Sequence, residues 1–298
     1  MANDWTRLIE RLDAFLARVE RLLPPAAEPI DWKVSAFRWR KHAPGAPLGQ
    51  GPRTGYLQAV RHPHKIRFSD LRDIEEQKKR LRDNTLQFVE GRPANNVLLT
   101  GARGTGKSSL VKAALNEFAK RGLRLIEVDK RDLVDLPDIV DLIAERPERF
   151  IIFCDDLSFE ASDAGYKAMK VALDGTIAGS AENLLIYATS NRRHLMPEFM
   201  DENLEARHVD GEIHPGETTE EKISLSERFG IWLSFYPFDQ EEYVDIASHW
   251  VESLGGKADE AACKAALLFA LERGSRSGRV AWQFARDYVG RQGTKKRA

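Results

Sequence analysis

A glycine-rich loop that ends in lysine and serine is the part of the sequence whose residue types and spacing most directly indicate chemistry. Residues 101–108 fit the pattern G-x-x-x-x-G-K-[ST]. Glycines let such a loop bend so that successive backbone N–H groups point toward an anion. The lysine then reaches the β- and γ-phosphates of a nucleotide, and the last hydroxyl binds Mg²⁺. The predicted phosphate-binding residues are Gly101, Ala102, Arg103, Gly104, Thr105, Gly106, Lys107, Ser108 and Ser109.

The segments on either side of the loop agree with this interpretation. The apolar run Asn96–Thr100 predicts a strand before the loop, and residues 109–120 predict a helix after it. The N-terminus of that helix would add free N–H groups and a favourable dipole to an anion site. We therefore predict a loop that holds nucleotide phosphates.

Polar side chains follow two further apolar runs. Asp155 and Asp156 come after the run 150–154, and Asn191 comes shortly after the run 184–189. We predict that Asp155 holds the Mg²⁺ water shell together with Ser108, and that Asp156 orients or deprotonates an attacking water. Asn191 is expected to hydrogen-bond the γ-phosphate or that water. The alternatives are that the aspartates cap a helix and that the asparagine is an ordinary turn residue.

Strands and helices alternate through the middle of the chain, which positions these residues. The predicted strands are 96–100, 124–128, 150–154, 184–188 and 231–235. Strands separated by helices favour an α/β fold with a doubly wound, five-stranded parallel sheet covered on both faces. From residue 238 onward the pattern is helical, and the predicted helices are 240–254, 259–273 and 279–290.

Residues 1–66 are expected to form an N-terminal part outside this sheet. Apolar residues recur at three- and four-residue steps between positions 4 and 23, which predicts an amphipathic helix. It would pack on the body of the protein or against a partner helix. A stretch rich in proline and glycine continues to residue 66 and predicts an irregular arm. Within the arm, residues 32–41 carry four positive charges and three aromatic rings. They could hold single-stranded nucleic acid, or the rings could pack on the core while the charges face water.

In their order along the chain, the loop, the acid pair and Asn191 resemble the Walker A, Walker B and sensor 1 motifs of the AAA+ ATPases. Residues 226–230 are similar to the segment that carries the arginine finger, with Arg228 at the finger position. Residues 277–281 resemble sensor 2, with Arg279 as the matching residue and Arg276 close by. The resemblance covers residues 67 to 290. It extends to uncharacterised bacterial AAA+-type proteins and, more distantly, to helicase loaders and transposition helpers.

This resemblance implies an α/β nucleotide-binding domain at 67–237 and a helical lid at 238–290, followed by a basic tail at 291–298. It also implies ATP and Mg²⁺ as cofactors, and hydrolysis of ATP that switches or remodels a protein or nucleic-acid partner. Leu71 and Ile74 fall where members of the superfamily hold adenine, although both are equally compatible with a core position. Asp156 stands where many members have glutamate, which favours slow turnover. The alternative is an ATP-gated binding module with little hydrolysis, associated with DNA through the arm.

The position of Arg228 long after the phosphate loop implies that it serves the γ-phosphate of a neighbouring subunit. The chain is therefore expected to form a homo-oligomer, a ring or spiral, when ATP is bound. The alternative is that Arg228 forms an ion pair within its own chain.

The composition narrows the class of protein. The 298 residues are 42% hydrophobic and 31% charged, which is typical of a folded globular chain. A net charge of −1 excludes a globally basic nucleic-acid binder. Two cysteines are too few for a disulfide framework. No segment resembles a signal peptide or a membrane span, so we expect a cytoplasmic protein with no membrane partner. Acidic residues between 201 and 222 are expected to form a solvated loop, or a surface facing the basic arm of a neighbour.

Overall fold

The computed structural model describes part of the N-terminal segment and most of the chain from residue 30 onward. The described residues are 5, 9, 11–15, 18, 30–42, 55–159, 163–174, 182–191, 207–209, 212–214 and 225–295. Most of the acidic stretch 201–222, the last residues of the basic tail and much of the predicted N-terminal helix lie outside these ranges. Those of residues 5–18 that are described are helical, and their apolar side chains, such as Trp5 and Phe15, are exposed.

A mostly parallel sheet forms the centre of the described structure. Its seven strands are β1 (Ala36–Lys41), β2 (Gly55–Ala59), β3 (Val97–Gly101), β4 (Leu123–Glu127), β5 (Arg149–Cys154), β6 (Leu184–Ser190) and β9 (Ile231–Phe235). They lie in the order β2-β1-β4-β5-β6-β3-β9, and only the β1–β2 pair is antiparallel. Two short strands, β7 (Arg207–Val209) and β8 (Glu212–His214), form a separate antiparallel pair.

Helices cover both faces of the sheet. They are α1 (Glu75–Val89), α2 (Lys107–Phe118), α3 (Leu136–Ile143), α4 (Ala164–Asp174), α5 (Gln240–Ser253), α6 (Glu260–Arg273) and α7 (Gly278–Lys295). Successive side chains of a strand point to opposite faces. Accordingly, Val97 and Leu99 of β3 pack with α1 and α2, whereas Leu98 packs in the layer of α3 and α4. The predicted α/β fold is confirmed. Within the described residues, no helix combines the length and apolar character needed to cross a membrane.

The sheet has two strands more than the sequence analysis predicted. The expectation of an irregular segment is wrong for residues 36–41 and 55–59, which form β1 and β2. β1 runs parallel to β4, and its Phe37 and Trp39 are each only 1% exposed. The alternation of these buried rings with Arg38 and Arg40 is a two-residue period, the ordinary signal of a strand with one face in the core.

The packing of these aromatics decides between the two interpretations of residues 32–41. Phe37 and Trp39 are inside the core and cannot stack on nucleic-acid bases. The half-buried ring of Trp32 is covered by the Arg146 guanidinium, 4.6 Å from its centroid. Arg38 forms an ion pair with Glu127 of β4 at 2.6 Å. The rings of this segment therefore hold it on the sheet, as the second interpretation expected.

The three C-terminal helices form a separate layer next to the phosphate loop. Asp239 begins α5 with a capping box, in which its side chain accepts the N–H of Glu242 and the Glu242 carboxylate accepts the N–H of Asp239. Gly274 ends α6 in the left-handed conformation, as expected for a helix terminated by glycine. These helices closely match the predicted ones, although α7 continues to Lys295.

Candidate nucleotide site

The phosphate loop connects the end of β3 to the start of α2. Gly101 has a φ of +125°, and an added Cβ there would lie 1.9 Å from the carbonyl oxygen of Phe235 on neighbouring β9. Gly104 has a φ of +75° and faces the C-terminal helices, where its carbonyl oxygen accepts the N–H of Gly278 at 2.8 Å. At both positions a side chain is excluded twice, because neighbouring atoms occupy the place of a Cβ and because φ is positive.

Lys107 is the first residue of α2, and its side chain lies along the inside of the loop. Its Nζ donates to the carbonyl oxygens of Gly101 at 2.8 Å and Ala102 at 2.6 Å, and to Asn191 Oδ1 at 3.1 Å. Burial lowers the pKa of Lys107, while the carboxylates of Asp155 and Asp156 act in the opposite direction. A partly desolvated ammonium group in this position is a strong electrostatic partner for a phosphate.

The two aspartates lie beside this lysine at the carboxyl edge of the sheet. Asp155 Oδ1 accepts a hydrogen bond from Ser108 Oγ at 2.6 Å. Asp156 has a positive φ of +54°, and its Oδ1 accepts a hydrogen bond from the side-chain amide of Asn191. Residues 157–159, which follow the pair directly, are not helical, so neither aspartate caps a helix. The structure therefore brings together the predicted residues of the phosphate loop, the acid pair and the amide.

The oxygens of Ser108 and Asp155 suit a magnesium ion. Mg²⁺ prefers hard oxygen ligands and is commonly held by one or two protein groups, with phosphate oxygens and water completing the octahedron. A hydroxyl and a carboxylate that already lie 2.6 Å apart at the phosphate loop match this donor set.

A cavity of about 800 Å³ opens from the phosphate loop between the sheet and the C-terminal helices. This volume is within the usual range for small-molecule and cofactor sites, roughly 300–1,000 Å³. Its apolar side chains are Ile66, Leu71, Ile74, Phe238, Ile246, Trp250 and Trp282. The rings of Trp250 and Trp282 meet edge to face at 4.7 Å. Leu71 and Ile74 line the cavity and also belong to the core, and their contact with adenine stays a prediction.

Several cationic side chains line the same cavity, as expected for a polyphosphate ligand. Besides Lys107 they are Lys65, Arg72, Arg103, Lys112 and Arg279. Residues 64–66 are held against α2 by Asn116, whose Nδ2 donates to the carbonyl oxygens of His64 and Ile66, each at 2.7 Å. The sequence analysis named Arg103 and Arg279 but missed Lys65, Arg72, Lys112 and the two tryptophans, because single cations and rings on amphipathic segments carry no spacing signal of their own.

The structure separates the three arginines that the resemblance singled out. Arg279 lines the cavity, and Arg276 is not among its lining residues. Arg228 also lies outside the lining, and its Nε donates to Asp174 Oδ1 at the end of α4 at 2.5 Å. The intramolecular ion pair expected as the alternative for Arg228 is therefore present in the single chain. Its role toward a neighbouring subunit stays a prediction.

The order of strands, the loop between β3 and α2 and the acids after β5 define the AAA+ fold. Solved structures agree with this assignment. The RuvB Holliday junction branch migration motor of Thermotoga maritima matches with a TM-score of 0.51 and 16% identity, over 75% of this chain and 64% of that one. A single-residue mutant of RuvB matches with a TM-score of 0.53 and 17% identity, over 78% and 67% of the two chains. The chain thus spans about two thirds of the length of these RuvB chains.

The chain belongs to the family described as protein of unknown function DUF815, whose family model matches residues 33–292. The match begins just before β1, so both β1 and β2 lie within the region that the family shares. No curated protein matches the chain.

Proposed function

We propose that this protein binds ATP with Mg²⁺ and hydrolyses it to ADP and phosphate, using the cycle to switch or remodel a partner macromolecule. The observation that carries the proposal is the convergence of two acids on one phosphate loop: Ser108 donates to Asp155, and Asn191 hydrogen-bonds both Lys107 and Asp156. The AAA+ fold supports it at the level of the superfamily.

Each side chain has a defined task in this proposal. Lys107 and the N-terminus of α2 bind the phosphates, and Ser108 and Asp155 hold the ion. A bound magnesium ion would neutralise charge on the phosphate oxygens. Asp156 accepts the proton of the attacking water, which Asn191 helps to orient. The apolar wall of the cavity near Ile74 packs against the adenine ring.

The two arginines would complete the charge balance around the γ-phosphate. Arg279 reaches the cavity from the start of α7, and we assign it the sensor role in its own chain. Arg228 would act on the site of a neighbouring subunit in a homo-oligomer, a ring or spiral formed with ATP. In the single chain Asp174 forms an ion pair with Arg228, so assembly would have to redirect Arg228 or use the ion pair as it stands.

The cytoplasmic location expected from the sequence also stays a prediction.

A second candidate function is an ATP-gated binding module with little hydrolysis. The contact between the Asn191 amide and Asp156 favours it, because this carboxylate oxygen is already occupied and is not free to face an attacking water. Aspartate also has a shorter reach than glutamate. The two candidates share the ATP site and differ only in turnover.

ATP binding and turnover can be measured separately to test the proposal. In isothermal titration with MgATP, Lys107→Ala should abolish measurable binding. Lys120→Ala, which removes an exposed lysine after the same helix, should bind like wild type. Asp156→Asn should keep binding and lose phosphate release. If the wild type does not bind ATP, both candidates fail. If it binds ATP but releases no phosphate at any protein concentration, only the gated module survives.

A further inference from the structure

Thr189, near the end of β6, lies between the two aspartates and belongs to none of the motifs found in the sequence. It is only 2% exposed. Its Oγ1 donates to Asp155 Oδ1 at 2.6 Å and accepts the backbone N–H of Asp156 at 2.9 Å. A hydroxyl offers one donor and two acceptor sites, so it can make both bonds at once.

The sheet register brings Thr189 to this place. The parallel pairing of β5 with β6 ends at Cys154 opposite Ala188, so the following residues, Asp155 and Thr189, face each other. The contact continues beyond the strand, since the N–H of Leu157 donates to the carbonyl oxygen of Thr189 at 2.7 Å. Thr189 thus holds all three residues of the turn that carries the acid pair.

The backbone of Asp156 needs such support. Its φ of +54° is in the left-handed region, which aspartate enters more readily than most residues but less readily than glycine. Strained conformations of this kind persist only where the surroundings hold them. The hydrogen bond from the Asp156 N–H to Thr189 Oγ1 is one such restraint, and it directs the Asp156 carboxylate toward Asn191.

We propose that Thr189 is a positioning residue of the nucleotide site. It fixes the orientation of the Asp155 carboxylate beside Ser108 and the turn that aims Asp156. Two hydroxyls donate to Asp155 Oδ1. Ser108 is itself a proposed ligand of the metal ion, together with Asp155. Thr189 is therefore the donor to Asp155 that is not a metal ligand. The inference rests on the proposed function, because the orientation matters only if Asp155 serves a metal–nucleotide complex.

The test compares variants in the full chain. Thr189→Val keeps the shape of the side chain and removes both hydrogen bonds, and Thr189→Ser keeps the hydroxyl. Thr85→Val is the matched control. Thr85 lies in α1 and is equally buried. Its hydroxyl donates to the Leu81 carbonyl oxygen at 2.7 Å and hydrogen-bonds the Tyr187 hydroxyl of β6 at 2.8 Å.

The measurement is the affinity for a fluorescent ATP analogue, taken in EDTA and across a Mg²⁺ titration. Thr189→Val should bind the analogue in EDTA like wild type, and its Mg²⁺ midpoint should rise about tenfold, the effect of losing one hydrogen bond to a charged group. Thr189→Ser should restore the midpoint. Thr85→Val should lower the denaturant midpoint for unfolding and leave the Mg²⁺ midpoint unchanged.

A wild-type Mg²⁺ midpoint in Thr189→Val, with a stability loss like that of Thr85→Val, would show a purely structural role and overturn the proposal. Where the valine variant does not fold, Thr189→Ala removes the same hydroxyl, and its Mg²⁺ midpoint decides. A wild-type protein whose ATP affinity does not depend on Mg²⁺ would refute the proposed metal site itself. Mg²⁺-independent binding would be seen in the wild type before any variant is made, and it would also refute the proposed role of Thr189.

Discussion

Replacing Gly104 by alanine should damage the junction between the phosphate loop and the C-terminal helices. Gly104 has a φ of +75°, and an added Cβ would lie 2.8 Å from Ser277 Cβ and 2.9 Å from Ser277 Oγ. The left-handed conformation costs an alanine about 1–2 kcal/mol. Overpacking of this kind costs about 1–3 kcal/mol more. We therefore expect Gly104→Ala to lower the free energy of unfolding by about 2–5 kcal/mol.

A second glycine separates the two contributions. Gly122 also has a positive φ, +95°, but an added Cβ there meets nothing within 4 Å. Gly122→Ala should therefore cost only the conformational part, about 1–2 kcal/mol. In a Ser277→Gly background, Gly104→Ala should lose its steric part and approach the Gly122 value. Urea unfolding of the single and double variants gives these free energies.

The same change should weaken nucleotide binding. Relief of the contact with Ser277 moves the loop away from Gly278, whose N–H donates to the Gly104 carbonyl at 2.8 Å. ATP affinity should fall in Gly104→Ala and not in Gly122→Ala. Equal stability costs for the two alanine variants in the wild-type background would refute the argument that the loop and the C-terminal helices are in close contact.

Three further predictions concern other parts of the molecule. Burial raises the pKa of Tyr187 to about 12 from 10.0, so the unfolded chain loses this proton first and stability falls from pH 10 to pH 12. Tyr187→Phe should remove a loss on the order of 3 kcal/mol from alkaline unfolding curves. Trp282→Phe should reduce the change in intrinsic fluorescence on ATP binding and weaken binding about 3- to 10-fold, since an aromatic contact contributes about 0.5–1.5 kcal/mol. Arg228→Ala should bind ATP normally but turn over slowly, and mixing it with Asp156→Asn should restore phosphate release at sites built from both subunits.

Each of these predictions has its own contradicting result. An alkaline unfolding curve that is the same in Tyr187→Phe and wild type would show that ionisation of the Tyr187 hydroxyl does not contribute to the loss of stability at high pH. A full fluorescence response in Trp282→Phe would place the nucleotide away from this ring. Mixed subunits as inactive as the two variants alone, although shown by sedimentation to co-assemble, would argue against a role of Arg228 across a subunit boundary.

The sequence was most informative where chemistry demands fixed spacing. The phosphate loop has a pattern set by how backbone N–H groups surround an anion, so the place of Lys107 in a phosphate loop could be predicted, although α2 begins at Lys107 and not at the predicted residue 109. Asp155 and Asn191 were predictable because parallel strands end at one edge of the sheet. The C-terminal helices were predictable from their helical pattern, and Gly274 stands where α6 ends.

Other features depend on contacts between distant segments, which leave little local trace. β1 has the two-residue alternation of a strand, but it is only six residues long, and its place beside β4 depends on the burial of Phe37 and Trp39. The pairing of Trp250 with Trp282 joins two helices, and either ring alone resembles an ordinary core residue. Thr189 acquires its contacts only through the register of two strands.

Phosphate release from ATP, measured at saturating MgATP for wild type and Asp156→Asn, tests the central claim most directly. Titration calorimetry should first confirm that both proteins are fully occupied by nucleotide. We predict Mg²⁺-dependent release by the wild type that rises with protein concentration, and a rate about 10²–10⁴-fold lower in Asp156→Asn, the usual contribution of a general base. Equal rates in the two proteins, or no release by an ATP-saturated wild type, would contradict the account.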